Sequence, residues 1–78
     1  MEDWKHRIAI DAAVSHGRPC IKGTRVWVSL IIDNLAGGVL EEEIRRAYGL
    51  SHEDVLAALG YAAEMTRERY VDLPVPTS

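Results

Sequence analysis

Residues 40–61 read LEEEIRRAYGLSHEDVLAALGY, and this stretch decides the fold. Ile44, Ala47 and Tyr48 fall at i, i+3 and i+4, which places them on one face of a first helix. Gly49 ends that helix, because glycine enters the left-handed C′ conformation without a Cβ penalty. Leu50 is expected to plug the corner. Ser51 opens a second helix, its hydroxyl placed to accept the amide three residues on, and Asp54 stands at the capping-box position. Val55, Leu56, Leu59, Ala62 and Ala63 are expected to continue the buried stripe. Helix, Gly-Leu-Ser corner and helix have the sequence form of a helix-turn-helix.

Working outward, residues 29–36 predict a preceding helix, with Ser29 as cap and Leu30, Ile31, Ile32 and Leu35 buried, stopped by Gly37-Gly38. The helix after it starts near Leu40 without a side-chain cap, and Glu41, Glu42 and Glu43 offset this through the helix dipole. The last helix is expected from His52 to about Tyr70, with Gly60 admitting close approach by another helix. On the N-terminal side, residues 7–11 (RIAID) alternate as a short strand with Ile8 and Ile10 on one side. Residues 16–19 are turn material, and residues 17–28 form a small hairpin or bent strand with a break at Gly23. Such short strands must pack on the helices or pair across a dimer. The expectation is a mainly α fold: a three-helix, helix-turn-helix-like core with a short N-terminal β-hairpin segment. It forms one domain over residues 1–72, followed by a flexible tail, residues 73–78, holding two prolines.

At 78 residues the chain has room for one small core. Its 47% hydrophobic content argues against disorder. One cysteine excludes an internal disulfide and suits a reducing cytoplasm. There is no apolar run of membrane-spanning length and no secretory signal in MEDWKHR, so no membrane association is expected. Net charge is −3, but its distribution is uneven. Residues 1–28 hold five basic against three acidic side chains; residues 29–78 hold four against nine. A phosphate-facing surface would therefore use the first part of the chain.

No catalytic constellation is legible. Cys20 beside Ile21 has the setting of a small buried hydrophobe, with no third group to orient His16 as a base. His6, His16 and His52 are too scattered for a metal, and Gly17 and Gly23 do not form a phosphate loop. Neither an enzyme nor a cofactor is expected. For nucleic acid, the front of the second corner helix offers Ser51 and His52, but also Glu53 and Asp54, which would face phosphates. Arg18, Lys22 and Arg25 on the strand segment, and Arg45 and Arg46 before the corner, are better candidates. The alternative is that the corner only packs a three-helix core and that these cations are solvated surface charge.

The block GRPCIKGTR at residues 17–25, then Val28, the double glycine and EEEIRRAYGLSHEDVLAALGYAAE, resembles a family of small prokaryotic proteins, the domain of unknown function 433. The likeness spans roughly residues 8–64. It implies a compact helical domain related to the helix-turn-helix. It also implies an antitoxin-like role beside a toxin of PIN-type ribonuclease fold. The family commonly has Tyr-Pro where this chain has Tyr48-Gly49, and a small hydroxyl cap where it has Leu40. The expected partners are a second copy in a homodimer, a PIN-type toxin and operator DNA. Dimerisation is expected from the short strands, the small core and Trp4 and Trp27, read as exposed. Because a nuclease site of that kind is a carboxylate cluster, an inhibitor would present arginine to it, and Arg67 and Arg69 are the candidates.

Overall fold

The computed structural model describes residues 4–13 and 15–67. In order they form a 3-10 turn Trp4–Arg7, strand β1 (Ile8–Ala9), a 3-10 turn Ser15–Gly17, strand β2 (Cys20–Ile21), and helices α1 (Val28–Ala36), α2 (Glu41–Tyr48) and α3 (His52–Arg67). Three helices with a two-stranded antiparallel sheet agree with the expected class.

The corner between α2 and α3 is built as its sequence reads. Gly49 sits at φ 68°, ψ 37°. Leu50 N–H donates to the Arg45 carbonyl at 2.9 Å, the long bond of a Schellman motif. Ser51 Oγ accepts the Asp54 amide at 3.1 Å, and Asp54 Oδ2 accepts the Ser51 amide at 3.0 Å, a complete capping box. Leu50 is buried and shares the core with Ile44, Val55, Ala58, Ile31, Val28 and Ile21.

Several expected faces are turned. In α2 only Ile44 is buried, while Ala47 and Tyr48 are exposed. The left-handed Gly49 turns the chain so that Leu50 joins Ile44 in the core. In α3 the inward residues are Val55, Ala57 and Ala58, with Tyr61 and Ala62 half-buried. Leu56 and Leu59 are 49% and 43% exposed, and Ala63 is exposed as well. Apolar residues lie on both sides of this helix, and the side with small alanines is the one its neighbours approach.

Helix α1 starts one residue before Ser29, which is exposed and caps nothing; Trp27 is the N-cap. The Val28 amide, otherwise orphaned, donates to the Pro19 carbonyl at 3.0 Å, and the Leu30 amide donates to the Trp27 carbonyl at 3.1 Å. Within the helix Ile31 is buried, and Leu30, Ile32 and Leu35 are half-buried. The expected strand at residues 7–11 contracts to Ile8–Ala9, paired Ile8 to Ile21 and Ala9 to Cys20. Asp11 Oδ1 accepts the Ala13 amide at 2.9 Å and turns the chain away, leaving Ile10 60% exposed rather than beside Ile8. The bent hairpin of residues 17–28 is present: Cys20 bridges Trp27, the Ile21 amide reaches the Val26 carbonyl at 3.0 Å, and Thr24 Oγ1 braces the turn. These strands pair within the chain.

Neither tryptophan is left open. Trp27 carries the Arg18 guanidinium 4.4 Å above its ring. Trp4 lies edge-on to Tyr61, ring centroids 5.8 Å apart and planes at 82°. The close approach at Gly60 comes from this ring and not from a helix: a Cβ there would stand 2.6 Å from Trp4 Cδ1. Gly60→Ala should therefore destabilise by about 1–3 kcal/mol through overpacking. In a Trp4→Gly background, which also removes the Trp4 Cβ 3.2 Å away, the same change should stabilise by about 0.5–1 kcal/mol, since only the helix propensity remains. Urea denaturation of the four proteins of this cycle reads the reversal of sign, and a Gly60→Ala effect independent of Trp4 would refute the contact.

Candidate functional site

Arg7 begins the construction of the basic surface. Its carbonyl accepts the Lys22 amide at 2.7 Å, which extends the β1–β2 ladder and holds the N-terminal turn against residues 22–25. Its guanidinium reaches Asp54 Oδ1 at 3.0 Å. His6, Arg7, Lys22 and Asp54 thereby line an open cleft of about 460 Å³ at the start of α3. Both Asp54 oxygens are in use, one in the capping box and one on Arg7, so this acid is already neutralised. Lys22 and Arg25 are exposed and hold no ion pair among the described residues.

The corner's own candidates are committed elsewhere. The Ser51 hydroxyl is occupied by the Asp54 amide. His52 Nδ1 stands 2.5 Å from Glu41 Oε2, which joins the first turn of α3 to the first turn of α2. Arg45 Nε lies 3.1 Å from the same oxygen, off the hydrogen-bond direction, so we read it as an ion pair. The Glu41 carboxyl is held below its usual range, foremost by the hydrogen bond from His52; partial desolvation opposes this, and the charges of His52 and Arg45 reinforce it. Arg46 pairs with Glu42 at 3.1 Å with both side chains strongly exposed, an arrangement worth about 0.3–0.5 kcal/mol.

Arg18 belongs to a different surface. Stacked on Trp27, it forms one rim of a groove of about 340 Å³ between α1 and α3. Pro19, Ile32, Tyr61 and Met65 give that groove apolar walls, and Asp33 adds an acid. Arg67 follows in the last turn of α3, solvent-facing and 2.7 Å from Glu64. Arg69 and the tail lie outside the described residues.

The Cys20 side chain is buried, and its thiol donates to the Thr24 carbonyl at 3.7 Å. No three metal-ligating side chains converge among the described residues. No helix among them is long and apolar enough to cross a membrane.

The structure thus separates the expected nucleic-acid set. Lys22 lines the cleft and Arg25 shares its turn; Arg18 faces the groove; Arg45, Arg46, Ser51 and His52 are tied into the corner. Arg7 and His6 are additions that sequence reasoning missed. The partner that positions Arg7 is 47 residues away, beyond any local pattern. The charge excess of the first part of the chain is the only signal that included it.

A family model described as "Protein of unknown function (DUF433)" matches residues 8–62, and the chain belongs to that family. Comparison with curated proteins and with solved structures gives no match.

The depressed Glu41 carboxyl carries a pH dependence. A carboxyl whose folded-state value lies below its unfolded one stabilises the fold above the ordinary glutamate range. That contribution is lost as pH falls through the folded value. Thermal denaturation below pH 4.5, the ordinary value, should show the wild type losing stability more steeply than Glu41→Gln. Parallel acid limbs would show that His52 and Glu41 do not interact in solution.

Proposed function

We propose that this member of the DUF433 family is a non-catalytic binding protein of antitoxin type, a homodimer that holds a PIN-type ribonuclease and touches operator DNA. The observation that carries the protein-binding part is the α1–α3 groove. Its walls are apolar, Arg18 is fixed at its rim by Trp27, and it lies beside the last turn of α3. An apolar groove with a few placed charges suits an anchoring side chain of a protein partner. Arg67 supplies what a carboxylate cluster would recognise. Its bond to Glu64 is solvent-exposed and worth at most about 1 kcal/mol, so it yields readily to a stronger acceptor. The class of partner comes from the family resemblance. Arg69 stands with Arg67 in the sequence and is assigned the same role.

Co-expression with the product of the neighbouring gene tests this directly. The pair should co-purify. Met65→Glu, on the exposed groove wall, should weaken capture by about tenfold or more, the cost of one interfacial contact of about 1.4 kcal/mol. A neighbour that is not nuclease-like, or that does not bind, would sink the reading.

The DNA part is favoured by the uncommitted cations Lys22 and Arg25 beside the Arg7 cleft. Binding to the protein's own promoter should fall steeply with salt. Lys22→Ala or Arg25→Ala should each reduce the salt slope by about one while affecting all sequences alike, as expected of phosphate contacts. Absence of a complex at low salt would eliminate this part.

A further inference from the structure

From Leu56 onward the outward side of α3 is a seam that no part of the described chain covers; His52 at its head is tied to Glu41. His52, Leu56, Leu59, Ala63 and Thr66 recur at alternating spacings of four and three, which keeps them in one line along the helix. All are exposed, Leu56 and Leu59 by nearly half. The core takes up the flank adjoining it, through Val55 and Ala58, and the Trp4–Arg7 turn takes up the side of Gly60 and Tyr61. Leu56, Leu59 and Ala63 thus form one continuous apolar strip on the exposed face of α3.

Two features of the seam select its occupant. The first is charge. Glu53 stands exposed at its N-terminal end with no ion-pair partner among the described residues, and Arg67 stands at its C-terminal end. The second is size. Glu53 and Arg67 are centred on residue 60, Leu56 and Ala63 midway between residues 59 and 60, and Leu59 lies within one residue of both centres. A second copy of the same helix laid antiparallel therefore meets acid with base and large with small, twice over. A parallel copy would meet Arg67 with Arg67 and Leu56 with Leu56, and is disfavoured on both counts. A self-complementary patch of this kind is what a twofold interface requires.

We propose that two copies of the protein associate through α3, antiparallel about a twofold axis near Leu59, with Arg67 of each facing Glu53 of the other. Arg67 leaves only an exposed contact with Glu64 to do so, and a toxin's carboxylates, in the functional reading above, would compete with Glu53 of the second copy for it. At 1.5 Å per residue the 16-residue helix offers a seam of about 24 Å, short of a standard interface, so association is of moderate strength and concentration-dependent. The proposal specifies the interface of the homodimer in the functional reading above. It is measured on the protein alone, so loss of toxin or DNA binding would leave it standing.

Light scattering over a concentration series should show the mass rising from one chain to two. Leu59→Glu, at a site exposed enough to leave the fold intact, should raise the dissociation constant at least about tenfold, since it buries a charge on the axis. Arg67→Glu and Glu53→Arg should each weaken association severalfold, and the two together in one chain should restore it. Restoration is the result a fold defect cannot produce. A single-chain mass at every concentration, a dimer indifferent to Leu59→Glu, or a double variant weaker than either single one would overturn the proposal. So would a protein that is monomeric alone and loses only partner capture on Leu59→Glu, because the seam would then belong to the partner.

Discussion

At the point where α3 begins, the Asp54 carboxylate accepts the Ser51 amide with one oxygen and the Arg7 guanidinium with the other. Arg7 in turn holds Lys22 through its carbonyl, so one acidic side chain fastens the corner, the N-terminal segment and the hairpin turn together. Its energy is small beside that of the core. A cap contributes about 1 kcal/mol and a half-exposed ion pair no more, whereas each buried Ile or Val contributes about 1.5–3 kcal/mol. The core of Ile21, Ile31, Ile44 and Val55 supplies the stability, and Asp54 supplies the register. Through that register the basic turn is brought to the front of α3.

The helix boundaries were legible because their signals are local. Gly49 and the Ser51–Asp54 box specify the corner within a few residues, and both act as their chemistry predicts. The faces were harder. Leu56 and Leu59 outrank Ala57 and Ala58 in hydrophobicity, and periodicity alone selects them for the core. Close packing of α3 against its neighbours selects the alanines instead, a tertiary effect invisible along one helix. Ser29 failed as a cap because the helix already begins at Val28: the Val28 amide is satisfied by Pro19, and the Ile31 amide that a Ser29 cap would have served donates to the Trp27 carbonyl.

The candidate cations show the same division. Arg45 and Arg46 have acids four residues before them, and those pairs could be read from spacing. The stacking of Arg18 on Trp27 and the approach of Arg7 to Asp54 depend on how the hairpin crosses the helices. The first grounds for a dimer, open tryptophans and unpaired strands, are removed by the structure. The same turn of α3 that hid the alanines supplies a better one, by leaving its leucines outside.

Helix α3 thus has one side for the core and, as proposed above, one for another protein molecule. Backbone amide chemical shifts followed by NMR on dilution test this residue by residue. Concentration-dependent shifts should gather on the seam residues 56, 59, 63 and 66 and on Glu53 and Arg67 at its ends, with Ala58 and the β1–β2 pair unmoved. Shifts that are absent, or that gather at the hairpin instead, would contradict it.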